Sequence, residues 1–398
     1  MNEEIVLLLC STLALIAGVL ITRWTHSQSD IELVVPASVP DLLPPAPRVS
    51  MIVPARNEAR NIRRCVNALL AQDYPNFELI VVDDRSTDTT PQILGELLHQ
   101  EQRRPGARQA SGRLRVVQGT DLPPGWAGKP HALFQGAVQA GGEWLCFIDA
   151  DTFASPGLIS ATLQTAQARA ADLFTILTDQ ELGTFWERVT LPVIFTALSV
   201  GFPARHVNDP SRPEAIANGQ FILVRRSVYA AVGGHQAVRD QIAEDKALAE
   251  LVKGRGCRLV LADGRAVART RMYTSLPEIW EGWTKNIFLG MQDRLGLLLF
   301  GGVVGLLGAL LLPFWLAGGL VWLATAGSLV PAIVVAQAAL VWFYLVCLRA
   351  LVAQAFQISP WYAFSLPIGA LLFTAMLFAS AFKVLSGQGV TWKGRKYS

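Results

Sequence analysis

The chain has 398 residues, of which 52% are hydrophobic and only 16% charged, with a formal net charge of +3. A charged share well under the roughly 25% of ordinary soluble domains excludes a wholly water-soluble protein. A net charge this small gives no ground for expecting nucleic acid as a partner.

The charge deficit is local. Ile5 to Ile21 is uncharged and about long enough to cross a bilayer. The preceding Met-Asn-Glu-Glu lacks the basic start of a signal peptide, and no Ala-x-Ala cleavage site follows. Residues 1–23 are therefore expected to be an uncleaved anchor, and Arg23 places the next segment on the cytoplasmic side. Residues 24–47 read as a linker, with five prolines between Pro36 and Pro47. Residues 48–273 have ordinary composition and form the expected soluble domain. The cysteines (Cys10, Cys65, Cys146, Cys257, Cys347) include no Cys-x-x-Cys pair, which suits a reducing compartment and argues against a metal–thiolate site.

Within that domain, Val49–Val53 is a short apolar strand and Asn61–Ala71 has helical spacing at Ile62, Val66, Leu69 and Leu70. Phe77–Val82 is a second strand ending in Asp83 and Asp84, and Thr90-Pro91 opens the next helix. The alternation predicts an α/β domain with a parallel sheet and helices on its faces. Ligands of such sheets bind at the carboxyl ends of the strands, where Ala55, Arg56, Glu58, Asp83 and Asp84 lie. Neither a Gly-x-Gly-x-x-Gly fingerprint nor a P-loop follows the first strand, which removes the main support for nicotinamide or ATP-hydrolysing chemistry. Two readings of Asp83 and Asp84 remain open: they shape a turn, or they accept hydrogen bonds from a base and a ribose.

Further along, Lys129 stands just before a helix starting near His131. It is either a solvated loop lysine or a diphosphate ligand, assisted there by the free N–H groups of the helix start. The apolar run Trp144–Ile148 then delivers Asp149 and Asp151. The next helix has its own start in Ser155-Pro156, so Asp151 is not needed as a cap. Two carboxylates this close resist joint ionisation unless a cation lies between them, and hard oxygen donors select Mg²⁺ or Mn²⁺. Glu244 and Asp245 sit at the entrance of a helix whose inward face is Leu248, Leu251 and Val252 and which Gly254 ends. Acids there either favour the helix dipole or do chemistry.

Residues 274–294 have Leu276, Ile279, Trp280, Trp283, Ile287 and Met291 on one helical face, with Glu278, Glu281, Lys285 and Gln292 opposite. They are expected to be an amphipathic helix lying in the headgroup region; packing on the soluble core is the competing reading. Residues 295–348 carry no charged side chain, and residues 295–383 are expected to hold two to four transmembrane helices. Residues 384–398 form a basic tail. Its charge predicts a cytoplasmic end, whereas three spans would place it outside, so the number of spans stays open.

The stretches "VPARNE", "VVDDRSTD", "GWAGK", "IDAD" and "IAEDKALA" resemble, in order, the motifs of family 2 glycosyltransferases. "NGQFILVRR", "VGGH", "WEGWTKN" and "WKGRKY" are similar to membrane-anchored, lipid-glycosylating members, including carotenoid- and hopanoid-associated ones. The resemblance implies a GT-A (Rossmann-like) fold and inverting transfer from a nucleotide-diphosphate sugar, a UDP-sugar being expected, to a hydroxyl of a membrane lipid. It implies that Ala55, Arg56, Glu58, Asp83 and Asp84 hold the nucleoside, that Lys129 lies near the diphosphate, and that Asp149 serves ribose and metal. Asp151 would bind the metal directly and Asp245 would be the general base, with Gly219, Gln220 and Glu244 on the acceptor side. The family's Gln/Arg-x-x-Arg-Trp motif is missing, and Lys285 is the expected substitute near the diphosphate. The implied setting is the bilayer of the plasma membrane, with several spans and a cytoplasmic catalytic domain. A processive polysaccharide synthase, or a non-catalytic nucleotide-sugar-binding membrane partner, are the alternatives.

Overall fold

A computed structural model of the chain describes residues 12, 31–34, 46–103, 113–290, 301–303, 314–325, 329–386, 390–392 and 395–397. The expected N-terminal anchor, apart from residue 12, lies outside the described residues, as do most of the linker and residues 291–300 and 304–313.

The sheet-forming part alternates strand and helix as the spacing predicts. It begins β1 (Val49–Ala55), α1 (Ile62–Leu70), β2 (Phe77–Asp83), α2 (Thr90–Gln102), β3 (Leu114–Gln118), α3 (Gly128–Gln139) and β4 (Trp144–Ile148). It continues β5 (Thr152–Ala154), α4 (Leu158–Ala168), β6 (Leu173–Leu177), β7 (Asp179–Gln180), α5 (Phe185–Gly201), α6 (Ala204–Asn208) and β8 (Phe221–Arg225). After α7 (Arg226–Ala231) and α8 (Gly234–Ala237) come α9 (Glu244–Gly254), β9 (Leu259–Asp263) and β10 (Ala268–Thr270).

Seven strands form one sheet in the order β3-β2-β1-β4-β8-β6-β9. β1 is parallel to β2 and β4, β2 to β3, and β6 to β9. Only β8 runs against its neighbours, β4 and β6. The register sets Ala55 beside Asp83 and Ile52 beside Phe147, so the ends of β1, β2 and β4 come out on one edge. Every residue of β4 is buried, because both faces are covered, as parallel sheets require. Cys146 and Ile148 join the layer under α1 and α4, while Leu145 and Phe147 join the layer under α3. That two-sided burial explains an apolar run without alternation. β5, β10 and β7 form a small second sheet. Within the stretch read as a linker, residues 31–34 lie along β9: Leu33 bridges Asp263, and Val34 N–H donates to the Asp263 carbonyl at 2.8 Å.

The helical layer comprises α5, α10 (Leu276–Gly290), α11 (Phe314–Thr325), α12 (Leu329–Ala355) and α13 (Leu366–Leu385), with a 3₁₀ turn at Pro360–Ser365. α5 opens with a capping box: Thr184 Oγ1 accepts from Glu187 N–H, and the Glu187 carboxylate accepts from Thr184 N–H. Two segments among the described residues, Pro331–Ala355 and Pro360–Lys383, are long and apolar enough to cross a membrane.

The apolar face of α10 packs on protein, as the competing reading of residues 274–294 had it. Ile279 and Trp283 are buried with Leu191 and Ile194 of α5 and Phe373, Met376 and Leu377 of α13, and Leu276 and Trp280 pack against the same cluster. Trp283 meets Phe195 edge to face, ring centroids 5.7 Å apart. Gly369 allows the close crossing of α13 over α5, since a Cβ there would lie 2.6 Å from the Val189 carbonyl oxygen. The tryptophan face is a protein interface. Large exposed aromatics occur instead at Trp361 (78% exposed) and Phe364 (56%), stacked on one another beside the ends of both span-length helices.

Candidate active site

A cavity of about 1270 Å³ opens at the carboxyl edge of the sheet. It brings together Ala55, Arg56, Glu58, Asp84, Lys129, Asp149, Asp151, Gly219, Gln220, Glu244, Asp245 and Lys285. These residues come from strand ends, loops and helices spread over 230 positions, so their convergence depends on the sheet order. Asp83 is not on the cavity wall. It is 1% exposed, and its carboxylate accepts from Ser86 N–H at 3.1 Å and Gln118 Nε2 at 3.4 Å, which is the turn-shaping reading. Asp84 faces Arg56, whose Nη1 donates to the Asp84 carbonyl at 2.7 Å. Asn57 and Arg85, just past β1 and β2, both adopt positive φ, a backbone state that clusters at functional sites.

Four charged groups form the centre. Lys129 Nζ lies 2.7 Å from Asp149 Oδ1 and 2.8 Å from Glu244 Oε1. Burial alone would lower the Lys129 pKa, but Asp149, Glu244 and Asp245 outweigh it and hold the ammonium charged. Glu244, 4% exposed, stays ionised: burial pushes its pKa up, and Lys129 more than reverses this. Asp149 is pushed up by burial and by the negative charge of Glu244 and Glu58, against the pull of Lys129.

Asp245 is held differently. Its Oδ2 accepts from Gly219 N–H at 2.9 Å and its Oδ1 from Lys246 N–H at 2.8 Å. Burial, then repulsion from Glu244, raise its pKa to about 6. A carboxylate poised there is ionised at neutral pH yet basic enough to accept a proton. Lys285 of α10 reaches the same cluster, with its pKa lowered to about 8, chiefly by burial.

Gly219 is where these groups meet. A Cβ there would lie 2.9 Å from Lys129 Nζ, 3.0 Å from Asp245 Oδ2 and 3.6 Å from Asp149 Oδ2. Gln220, expected beside an acceptor, lines the cavity, but its side-chain oxygen is engaged by Thr178 Oγ1, Gln180 Nε2 at 3.2 Å and Asn218 Nδ2 at 3.2 Å. It braces the Gly219 loop on β6 and β7. Sequence reasoning did not single out Thr178, Asn218 or Gln180, and no local pattern marks them.

Asp149 and Asp151 supply hard oxygen donors of the type Mg²⁺ and Mn²⁺ take. Among the described residues, no group of three or more His, Cys, Asp or Glu side chains is arranged to hold a metal unaided. The donor set therefore fits an ion that arrives with a diphosphate and completes its shell with phosphate and water. The excess of carboxylates that pushes Asp149 upward favours a cation at the same place.

From this centre the cavity continues along an apolar wall. Phe195 and Leu198 of α5 line it together with Leu348, Leu351 and Val352 of α12, and Phe356 lies against Phe195, ring centroids 5.8 Å apart.

An antiparallel strand inserted in an otherwise parallel sheet, with acid-rich loops at its edge, is the GT-A arrangement. The chain carries a glycosyltransferase family 2 domain: the family model described as Glycosyl transferase family 2 matches residues 50–233. The 4,4'-diaponeurosporenoate glycosyltransferase of Staphylococcus aureus (strain USA300) is 28% identical over 271 residues, 65% of this chain and 68% of that protein. The protein of the same name from strain MRSA252 is 27% identical over the same length. Among solved structures, a mannosyltransferase from Pyrobaculum calidifontis, in complex with GDP-Man and Mn²⁺, superposes with a TM-score of 0.56 at 18% identity. That match covers 96% of this chain and 99% of the other, and it supports the GT-A fold.

Proposed function

We propose that this enzyme transfers a sugar, with inversion, from a nucleotide-diphosphate sugar to a hydroxyl of a membrane lipid at the cytoplasmic face. One observation carries the reading: the Asp245 carboxylate and the Asp149–Asp151 pair share a cavity with an apolar wall built partly from a span-length helix. A soluble acceptor has no use for such a wall. The names of the Staphylococcus relatives, which act on a long apolar carotenoid acid, agree with it.

In the proposed reaction the Asp245 carboxylate takes the acceptor's proton as the acceptor oxygen bonds to the anomeric carbon from the face opposite the leaving group. The glycosidic C–O bond to the diphosphate breaks, and the diphosphate leaves with that electron pair. Gly219 N–H and Lys246 N–H hold the carboxylate at the angle the transfer needs. Lys129 fixes Glu244 and Asp149 and, with Lys285, lends positive charge to the departing diphosphate. A Mg²⁺ or Mn²⁺ ion at Asp149 and Asp151 would add the larger part of that stabilisation, and the metal in the Pyrobaculum structure supports its use here. Arg56, Glu58 and Asp84 would face the nucleoside, for which a UDP-sugar is the expected donor. The two span-length helices support attachment to the bilayer.

The test is to incubate membranes containing the enzyme with a panel of radiolabelled nucleotide sugars and to separate the lipid extract. Label in a lipid band that is absent from Asp245→Asn membranes supports the reading. Label confined to high-mass polymer would point to a polysaccharide synthase instead.

A further inference from the structure

α5 contains a proline, Pro192, in its interior. A proline has no N–H, so the carbonyl four residues earlier loses its intrahelical donor. That carbonyl belongs to Arg188. In this structure it accepts a hydrogen bond from Arg349 Nη2 at 2.8 Å. Arg349 lies within the span-length segment Pro331–Ala355 of α12 and is 5% exposed. Its Nε and Nη1 make no hydrogen bond among the described residues. A charged side chain with two idle donors in an apolar helix is costly, and such residues persist where they do something specific. Among the described residues, the one bond it makes joins two helices across 161 positions of sequence, at the carbonyl that proline frees.

We infer that Arg349 is a positioning residue for acceptor binding: it clamps α12 to the Pro192 break in α5 and so fixes the width of the apolar passage between the two helices. Leu348 and Val352, on the same stretch of α12 as Arg349, line the same cavity as Phe195 and Leu198, which follow Pro192 on α5. The clamp is thus within one helical turn of the acceptor wall on α12 and about two turns from it on α5. The inference rests on the proposed use of that wall for a lipid acceptor.

The experiment is a cycle of Arg349→Met, Pro192→Ala and the double variant in the full chain, reconstituted in lipid. Arg349→Met keeps the volume and removes the donors. Its KM for the lipid acceptor should rise about tenfold, the scale of a lost charge-assisted hydrogen bond, with the KM for the nucleotide sugar unchanged. Pro192→Ala gives the Arg188 carbonyl an intrahelical N–H and so satisfies it without restoring the tie between α12 and α5; the double variant should therefore keep the raised KM. Recovery in the double variant would mean that the unsatisfied carbonyl, and not the tie, caused the loss. Spin labels at Ser199 and Leu351, in a background lacking other accessible cysteines, report the passage width without any acceptor. Their distance distribution should broaden in Arg349→Met and stay broad in the double variant. If Arg349→Met folds poorly, Arg349→Lys, which keeps a charged donor group, should give an intermediate width. An unchanged width and KM in Arg349→Met, or a loss that Pro192→Ala reverses, would overturn the inference. A width that broadens in Arg349→Met of an enzyme that glycosylates no lipid would instead overturn the proposed function and leave the clamp standing.

Discussion

Gly219 donates its N–H to Asp245 at 2.9 Å from a position where any side chain would strike both that carboxylate and Lys129. The residue that aims the proposed base is therefore also the one that must stay small. Gly219→Ala should cost turnover sharply, by about tenfold or more, since misplacement by a fraction of an ångström is enough. The thermal midpoint should fall only modestly, because Lys129 can shift at the cost of a small overpacking strain. Steady-state kinetics beside a melting curve would check this; a variant with full turnover would show that the Gly219–Asp245 contact is not used.

The pH profile should be bell-shaped. Asp245 works as a base only when ionised, so activity should climb as pH rises through about 6. Lys285 assists the diphosphate only when protonated, so activity should decline above about 8. Asp245→Asn should lower turnover about 10²–10⁴-fold while leaving nucleotide-sugar binding intact. Because the fold raises the pKa of this acid above its unfolded value, ionising it costs stability, and that cost sets in as pH rises from about 4 towards 6. Asp245→Asn should thus melt higher than the parent at pH 7 while turning over more slowly. Lys285→Arg should carry the alkaline limb upward, and an unmoved limb would dissociate Lys285 from it.

Chelation gives a third check. EDTA should abolish transfer and Mn²⁺ or Mg²⁺ should restore it, with Asp151→Asn folding normally yet losing most activity. Calorimetric titration with Mn²⁺ should show tight binding only when the nucleotide diphosphate is present, since the chain supplies two carboxylates and no larger ligand group among the described residues. Full activity in chelator would contradict the metal assignment.

The buried tryptophan face of α10 changes which residues should report on the membrane. Trp283→Glu would place a carboxylate inside the cluster of Ile194, Met376 and Leu377 and should prevent stable folding rather than release the enzyme from lipid. Trp361→Glu with Phe364→Glu should fold, because both rings are largely exposed, yet lose lipid glycosylation while slow hydrolysis of the nucleotide sugar continues. Aromatic rings at the ends of span-length helices are where an interfacial contact is expected. Vesicle flotation and product analysis would measure the two effects separately.

The order of acids at strand ends was legible in the sequence because each follows an apolar run whose end is easy to see. Asp84, Asp149 and Asp151 are of this kind and share one cavity, which Asp245 enters from the first turn of α9. Asp83 is equally legible as an acid, but a one-residue step along the strand end decides whether it faces the ligand or the turn. The partner of α10 was not legible. Periodicity shows that a helix has an apolar face, but whether lipid or protein covers that face depends on α5 and α13, which lie about a hundred positions away on either side. The brace of Gln220 by Thr178 and Gln180 was hidden likewise, since its members are ordinary polar residues in neighbouring strands.

The cluster formed by Leu191, Ile194, Ile279, Trp283, Met376 and Leu377 means that the sugar-transfer domain and its last helix share an interior. The C-terminal helices are therefore not an interchangeable tether. A fragment ending at Tyr273 would lay bare Leu191 and Ile194 and should precipitate when produced alone, and a chimera carrying a foreign anchor should fare no better. Substitutions within this interior must then be coordinated among α5, α10 and α13, so these three helices should diverge together rather than one at a time.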